Sequence, residues 1–405
     1  MLVEKLDKTS GRIEVIDVLR GFALLGIILV HMTEQYYAGQ LPEQHANFTS
    51  PGTIDQIVMG IVGIFITGKF YMIFSFLFGL SFYLQLSKSN GSVRFLMRFF
   101  WRLLILFGIG FIHHLHYRGD ILTIYALLGL VLLLAYRLPD KYLLILAILL
   151  VLDAPAFLIR LKDVIMVPNA QNPFSNADQN SLLAYYNTVK SGTYLEILKA
   201  NLAEFSFKID FQILSGRLYI TMGLFLLGLY AGRKNIFKNI ELKKPFFKRL
   251  IKGSLWVLLG CILFSMAFFG GAQALGIKVS DQLQWMVGGE VYDIFNAVFA
   301  TIYTSGLLLL FQKEKWRPRL MNFYAVGRMG LTTYLVQTVF GVLIFFSVGL
   351  GLLGEMGAAL TFSMAIGLYI IQILFSKFWL AHFEYGFFEW LWRSLTDLKV
   401  QPFRK

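Results

Sequence analysis

Two groups of residues in this chain combine type and spacing in a way that could support chemistry. The first lies in RIEVIDVLRGFALLGIILVHM, residues 12–32, where Asp17 and Arg20 precede an apolar run that closes on His31. Arg20 and His31 are 11 residues apart, which on a helix is roughly 1,100° of rotation and about 16 Å of rise. One stripe of one helix then carries a cation near one membrane surface and a titratable imidazole deep toward the other. Singly, the arginine could snorkel or pair with Asp17, and the histidine could bond a backbone group. Their shared stripe favours a joint role: anion binding at one end and proton transfer at the other.

The second group is GIGFIHHLHYRGDIL, residues 108–122, which gathers His113, His114, His116, Arg118 and Asp120 at the end of an apolar run. Histidine suits proton transfer near neutral pH, and a carboxylate such as Asp120 can orient it. His31 and the histidines of this cluster are therefore candidates for proton transfer. Zinc is the rival reading, but on a helix only His113 and His116 share a face, so no metal is expected. Lys69 could snorkel or hold an anion, and Glu34 lies on the same side as His31; both are candidate substrate contacts. Arg328 opens GRMGLTTYLVQ, whose Thr332, Thr333, Tyr334 and Gln337 could bond neighbouring helices or line a cavity. The chain has no P-loop, HExxH, GxSxG or CxxC, which argues against nucleotide hydrolysis and soluble-type serine hydrolase chemistry.

The elements that must position these residues are membrane spans. Of 405 residues, 57% are hydrophobic and 15% charged, far from the roughly 25% charge of soluble chains. The fold class is all-α: a polytopic helix bundle within one integral membrane domain, residues 1–405. About ten spans can be drawn, near 16–33, 68–87, 96–114, 121–136, 142–158, 213–232, 251–270, 290–311, 327–349 and 357–376. Residues 1–158 hold the Arg/His helices, 159–210 an outer loop with a short helix at 181–205, and 211–405 the remaining helices. Residues 54–67 read as a re-entrant or interfacial helix, and 379–394 as an amphipathic helix at the inner interface.

The net charge of +13 invites a nucleic-acid reading. Its surplus, however, sits in alternate loops, above all 233–252, as membrane topology demands. No nucleic acid is expected. The same alternation predicts both termini in the cytoplasm, and the first span is expected to be uncleaved. Membrane lipids are the expected surroundings, and a homo-oligomer is compatible with the pattern. The lone cysteine, Cys261, excludes a disulfide framework.

The motifs DVLRGFALLGIILV, GKFYMIFSFLFGLSF, IGFIHHLHYRGDILTIYALLGL, GRMGLTTYLVQ and SKFWLAHFEYGFFEWLWRSLT resemble the YeiB-like bacterial membrane proteins, a domain of unknown function. That family is similar in its first helix to a wider group of transmembrane acyltransferases. Members of that group carry an arginine and a histidine at the spacing of Arg20 and His31. The YeiB-like pattern more often has asparagine at the position of His31; its own histidine and Gly-Asp correspond to His113, Gly119 and Asp120. The resemblance implies acyl-CoA as co-substrate, with its phosphates on Arg20, Arg98, Arg102 or Arg328. The acyl group would pass to a hydroxyl or amine of an extracytoplasmic glycan or lipid, deprotonated by His31 or His113. The alternative is a transporter or a lipid- or anion-binding protein that uses the same groups without acyl transfer.

Overall fold

The computed structural model describes residues 13–45, 49–89, 91–166 and 179–405. Among the described residues the fold is all-helical, with no strand. Helix α1, Glu14–Thr33, places Glu14 and Asp17 in its first turn, where negative charge meets the positive end of the helix dipole. It is followed by α2 (Thr53–Phe65), α3 (Phe70–Lys88), α4 (Val93–His116) and α5 (Leu122–Ala135). Three later spans are bent pairs. α6 (Asp140–Val151) meets α7 (Ala154–Met166) at 47°, and α9 (Tyr194–Leu214), which follows α8 (Gln179–Ser191), meets α10 (Arg217–Arg233) at 67°. After α11 (Lys244–Ser265) and α12 (Asp281–Phe311), the segment ending in α13 (Asn322–Arg328) meets α14 (Gly330–Phe345) at 80°. The chain closes with α15 (Ala358–His382) and α16 (Phe387–Asp397).

Six helical stretches are long and apolar enough to cross a membrane, or nine if each bent pair is one span; one of the six, Thr53–Lys88, joins α2 to α3, so the separate re-entrant or interfacial helix expected at 54–67 is part of a longer run. The protein is a multi-pass membrane protein, and the ten expected spans correspond to these nine and the short α5. Helix α11 turns Leu255, Trp256 and Leu263 outward, as a lipid-facing helix does. Inside, α1 is central. Val15, Val18, Leu19 and Ala23 enter one apolar core, while Leu24, Ile28, Leu29 and Met32 enter a second.

Two glycine contacts fix the tightest crossings. A Cβ at Gly327 of α13 would lie 1.8 Å from the Asp17 carbonyl oxygen on α1, and one at Gly79 of α3 would lie 1.9 Å from the Phe225 carbonyl on α10. Lipid tails are as apolar as leucine, so membrane helices associate through such close packing rather than through water exclusion.

Three further expectations change. Residues 159–210, expected as a loop with one short helix, are helical where described apart from the break at Gly192 and Thr193: α7 reaches Met166, α8 covers Gln179–Ser191 and α9 covers Tyr194–Leu214. The break between α8 and α9 is a capping box, in which Glu196 accepts from the Thr193 amide at 2.7 Å and Thr193 Oγ1 accepts from the Glu196 amide at 3.4 Å. The reason the helix escapes a hydropathy reading is its charge: Lys199, Glu204, Lys208 and Asp210 all lie on α9. The proline-containing part of the expected loop, 167–178, lies outside the described residues. Second, the span expected at 213–232 begins inside α9 and breaks at Gly216, whose φ of +81° only glycine adopts freely. Third, α15 continues to His382, so the amphipathic helix starts at Phe387 rather than at 379.

Candidate functional site

A cavity of about 1080 Å³ runs along α1. The helix offers it one stripe, Ile16, Asp17, Arg20, Ile27, Val30, His31 and Glu34, while Ala23 and Leu24 between them are packed away. Arg20 and His31 therefore line the same space. Its middle is apolar, walled by Phe74, Leu77, Phe78, Leu103 and Leu106.

At the arginine end the cavity is lined by Arg20, Lys88, Arg102, Arg328 and Arg393. Arg20 is held by Asp17 at 2.6 Å, by Ser81 Oγ at 3.1 Å and by the Gly327 carbonyl at 3.3 Å. The Arg102 guanidinium lies 3.9 Å from the centre of the Trp392 ring and donates to Gln85 Oε1 at 2.8 Å. Arg328 donates to the Glu384 carbonyl at 3.0 Å. Lys88 and Arg393 are less engaged: among the described residues neither cationic group donates a hydrogen bond, and Arg393 only stacks on Tyr385. Arg98 stands apart, paired with Asp397 beside a smaller cavity of about 270 Å³ that shares Gln85, Lys88, Arg102 and Arg393 with the large one.

Helix α16 closes this end. The Trp392 indole donates to the Arg102 carbonyl at 2.9 Å and the Trp101 indole to the Leu395 carbonyl at 3.1 Å, pinning α16 to α4. From α16, Glu389 reaches the first turn of α14, accepting from the Leu331 amide at 2.6 Å, the Thr332 amide at 3.1 Å and Thr332 Oγ1 at 2.5 Å. A carboxylate from a different helix thus caps amide groups that the bend at Met329 leaves without carbonyl partners.

At the other end the cavity meets His31, Glu34, Tyr117, Arg118, Asp120 and Lys208. The His31 ring is surrounded by Tyr36, Tyr117 and Tyr334, with ring centres 5.3, 5.4 and 6.4 Å away. Its Nδ1 has no hydrogen-bond partner among the described residues. Glu34 follows the last turn of α1, and burial pushes its carboxyl up to about 7 against the opposing pull of Arg217.

Asp120 and His113 form a different kind of unit. Asp120 accepts from the Leu122 amide at 3.0 Å, the Thr123 amide at 3.0 Å and Thr123 Oγ1 at 2.7 Å, so it caps α5. It also accepts from Lys208 Nζ at 3.1 Å and lies 2.8 Å from His113 Nδ1. Burial opposes the ionised form of Asp120, but Lys208, His113 and the Thr123 amide outweigh it and hold the carboxyl below the ordinary range. The other ring nitrogen of His113 lies 2.8 Å from Thr338 Oγ1 on α14. With both nitrogens engaged, His113 ties the α4–α5 turn to α14, the helix that brings Tyr334 against His31.

His114 bonds the Asn201 carbonyl at 2.8 Å and His116 the Tyr194 hydroxyl at 2.7 Å, so the three neighbouring histidines turn to three different partners. Among the described residues no group of three His, Cys, Asp or Glu side chains could hold a metal. Lys69 does not line the cavity. Its fully buried ammonium donates to the carbonyls of Gly63 at 3.0 Å and Thr67 at 2.8 Å, with the Phe295 ring centre 5.2 Å away. It satisfies the last turn of α2, which explains a buried lysine without a ligand.

The sequence profile of a family described as a protein of unknown function (DUF418) matches residues 231–399. YeiB of Escherichia coli (strain K12) is similar to this chain, 27% identical over 96% of it and 97% of that protein. YxaH of Bacillus subtilis (strain 168) is 31% identical over 98% of this chain and 97% of its own length. The chain belongs to the YeiB-like family. A 39.9 kDa protein from the amylase 3′ region of Bacillus acidopullulyticus is 28% identical over 96% of this chain and 95% of its own length. No solved structure matches.

In this YeiB-like protein several cavity residues escaped the reading of the sequence: Lys208, Arg217, Glu389, Trp392 and Arg393. Lys208 and Arg217 carried a usable signal, since each is a cation beside apolar residues at the edge of a span. Glu389 and the two residues near it carried none, because their role arises from the docking of α16 across α14 and α4.

Proposed function

We propose that this protein is a membrane acyltransferase, moving an acyl group from cytoplasmic acyl-CoA to a hydroxyl or amine of an extracytoplasmic glycan or lipid. The observation that carries this reading is the single cavity joining the arginine end to His31. The arginine end adjoins the Lys- and Arg-rich connections and is read as cytoplasmic, with both termini on that side of a bacterial inner membrane. Arg20 and Arg102, with Lys88 and Arg393, offer guanidinium and ammonium donors to the phosphates of the donor. The apolar middle suits the pantetheine arm and acyl chain.

At the far end His31 is the base, because its ring lines the cavity whereas both nitrogens of His113 are engaged. The acceptor O–H or N–H gives its proton to His31 as the oxygen or nitrogen attacks the thioester carbon. Collapse of the tetrahedral intermediate breaks the carbon–sulfur bond, and the proton passes to the departing thiolate of CoA. Asp120 and His113 are positioning residues: they act by fixing α5 and α14 around the imidazole.

A test is label transfer from radiolabelled acetyl-CoA to an acceptor pool in membrane vesicles. His31→Ala should abolish the labelled product while sparing CoA binding; undiminished product would remove His31 from the mechanism. Cations also line the far end, with Arg118, Lys208 and Arg217 there, which favours a second reading: passage of an anionic amphiphile along the cavity. Unlabelled movement of an anionic lipid without acylation would select it.

A further inference from the structure

The break between α9 and α10 leaves three polar groups facing the cavity without partners. Thr221 is fully buried, and its hydroxyl has no hydrogen-bond partner among the described residues. This is unusual within this protein: Thr33, Ser75 and Thr301 each return a hydroxyl to the carbonyl four residues back, at 2.8–2.9 Å. Gln212, 7% exposed, likewise leaves its Oε1 without a donor. Arg217, one turn before Thr221 on the same face of α10, donates no guanidinium hydrogen bond among the described residues. Its guanidinium lies over two aromatic rings, with the Phe211 ring centre at 5.2 Å and the Tyr71 ring centre at 5.8 Å. All three line the cavity.

A buried hydroxyl and amide oxygen without partners are each costly to keep, so their persistence beside an uncommitted guanidinium points to a ligand. The nearby charges leave that guanidinium available. Lys208, one turn before Gln212, is taken by Asp120 and Thr123 at 3.1 and 2.7 Å. Asp153, packed against Gly216, is paired with Arg160 at 3.0 Å. Glu34 and Asp293 are the carboxylates that feel the charge of Arg217, and neither forms an ion pair with it.

We infer that Arg217, Thr221 and Gln212 form a binding site for an oxyanion that carries a neighbouring hydroxyl, the chemistry of a polyol phosphate. Arg217 and the Thr221 hydroxyl donate to the oxyanion. The Gln212 oxygen, which can only accept, takes the hydroxyl proton of the ligand. The site opens on the same space as His31, so a polyol phosphate held here is the acceptor of the proposed transfer. That last step rests on the acyl-transfer reading, whereas the oxyanion site itself does not.

The test is calorimetry on the full-length protein in nanodiscs without any acyl donor, using sn-glycerol 3-phosphate and glycerol as probes. Wild-type protein should bind the phosphate saturably and glycerol not at all. Arg217→Gln should weaken binding about tenfold or more, and Thr221→Val, which keeps the packing, about fivefold. Equal affinity for the two probes, or unchanged binding in both folded variants, overturns the site. Native mass spectrometry separates the sources of the phosphate. Phosphatidylglycerol retained over phosphatidylcholine and lost in Arg217→Gln supports the site and makes the acceptor a lipid headgroup. Binding of glycerol phosphate without lipid retention supports it with a soluble or polymeric acceptor. Phosphate binding without label transfer from acetyl-CoA leaves the oxyanion site standing and removes only the acyl-transfer reading.

Discussion

Asp120 shows how one side chain holds several elements. It caps α5, pairs with Lys208 from α9 and bonds His113 from α4. Removing its charge leaves a buried ammonium without compensation, a loss of roughly 3–5 kcal/mol. Asp120→Asn should therefore lower the thermal midpoint in detergent sharply, and Lys208→Met added to it should recover part of the loss. A double variant no more stable than the single one would contradict the pairing. The carboxyl of Asp120 is depressed in the folded protein. Its contribution is thus complete above the ordinary aspartate value and is lost as pH falls through the folded value. The margin of wild type over Asp120→Asn should stay level from about pH 5 to 8 and shrink only below about 4.

Glu34 has the opposite sign. Its carboxyl is raised to about 7 by burial, so the folded state favours the protonated form. Ionisation costs stability increasingly as pH rises above the ordinary glutamate value, and the cost is complete above the raised one. Glu34→Gln should therefore gain on wild type in thermal midpoint between pH 5 and 8; a constant difference would contradict the burial of the carboxyl. At this scale the sequence was informative where a charge lay within an apolar run. Arg20, His31 and Asp120 stood out for that reason. Lys69 stood out equally, yet its ammonium serves the backbone of α2, a role that spacing alone cannot distinguish from ligand binding.

Among the elements, the bend between α13 and α14 and the helix α16 depend on each other. Glu389 supplies α14 with a cap from α16, and the indole of Trp392 anchors α16 to α4. Glu389→Ala should cost about 1–2 kcal/mol and raise amide hydrogen exchange at Leu331 and Thr332, with little change at the buried centre of α15. Unchanged exchange at those two amides would show that the cap does not hold the turn. The amphipathic character of this segment was legible in EWLWRSLT, but its start at Phe387 was not, since α15 stays apolar and aromatic up to His382. Neither was the bend: GRMGLTTYLVQ reads as the start of one continuous span because its glycines fit a helix as well as a break. The helical nature of α9 was hidden by its five charges, Glu196, Lys199, Glu204, Lys208 and Asp210, of which Lys208 faces Asp120 inside the fold.

For the whole molecule, the all-helical multi-pass class and the approximate number of spans were legible because hydropathy is additive along the chain. The cavity was not, because its walls come from α1, α3, α4, α9, α10, α14 and α16 together. What gives the cavity a direction is the contrast between a cation-rich end and a tyrosine-walled imidazole. In the proposed transfer the cation-rich end receives an acyl-CoA. Lys88 and Arg393 are the cations to remove, because neither donates a hydrogen bond that holds the fold among the described residues. The decisive measurement is calorimetric binding of acetyl-CoA to wild type, Lys88→Ala/Arg393→Ala and His31→Ala. Binding should be saturable in wild type, weakened about tenfold or more in the double variant and retained in His31→Ala. Folded wild-type protein that binds neither acetyl-CoA nor a longer acyl-CoA would contradict the proposed transfer.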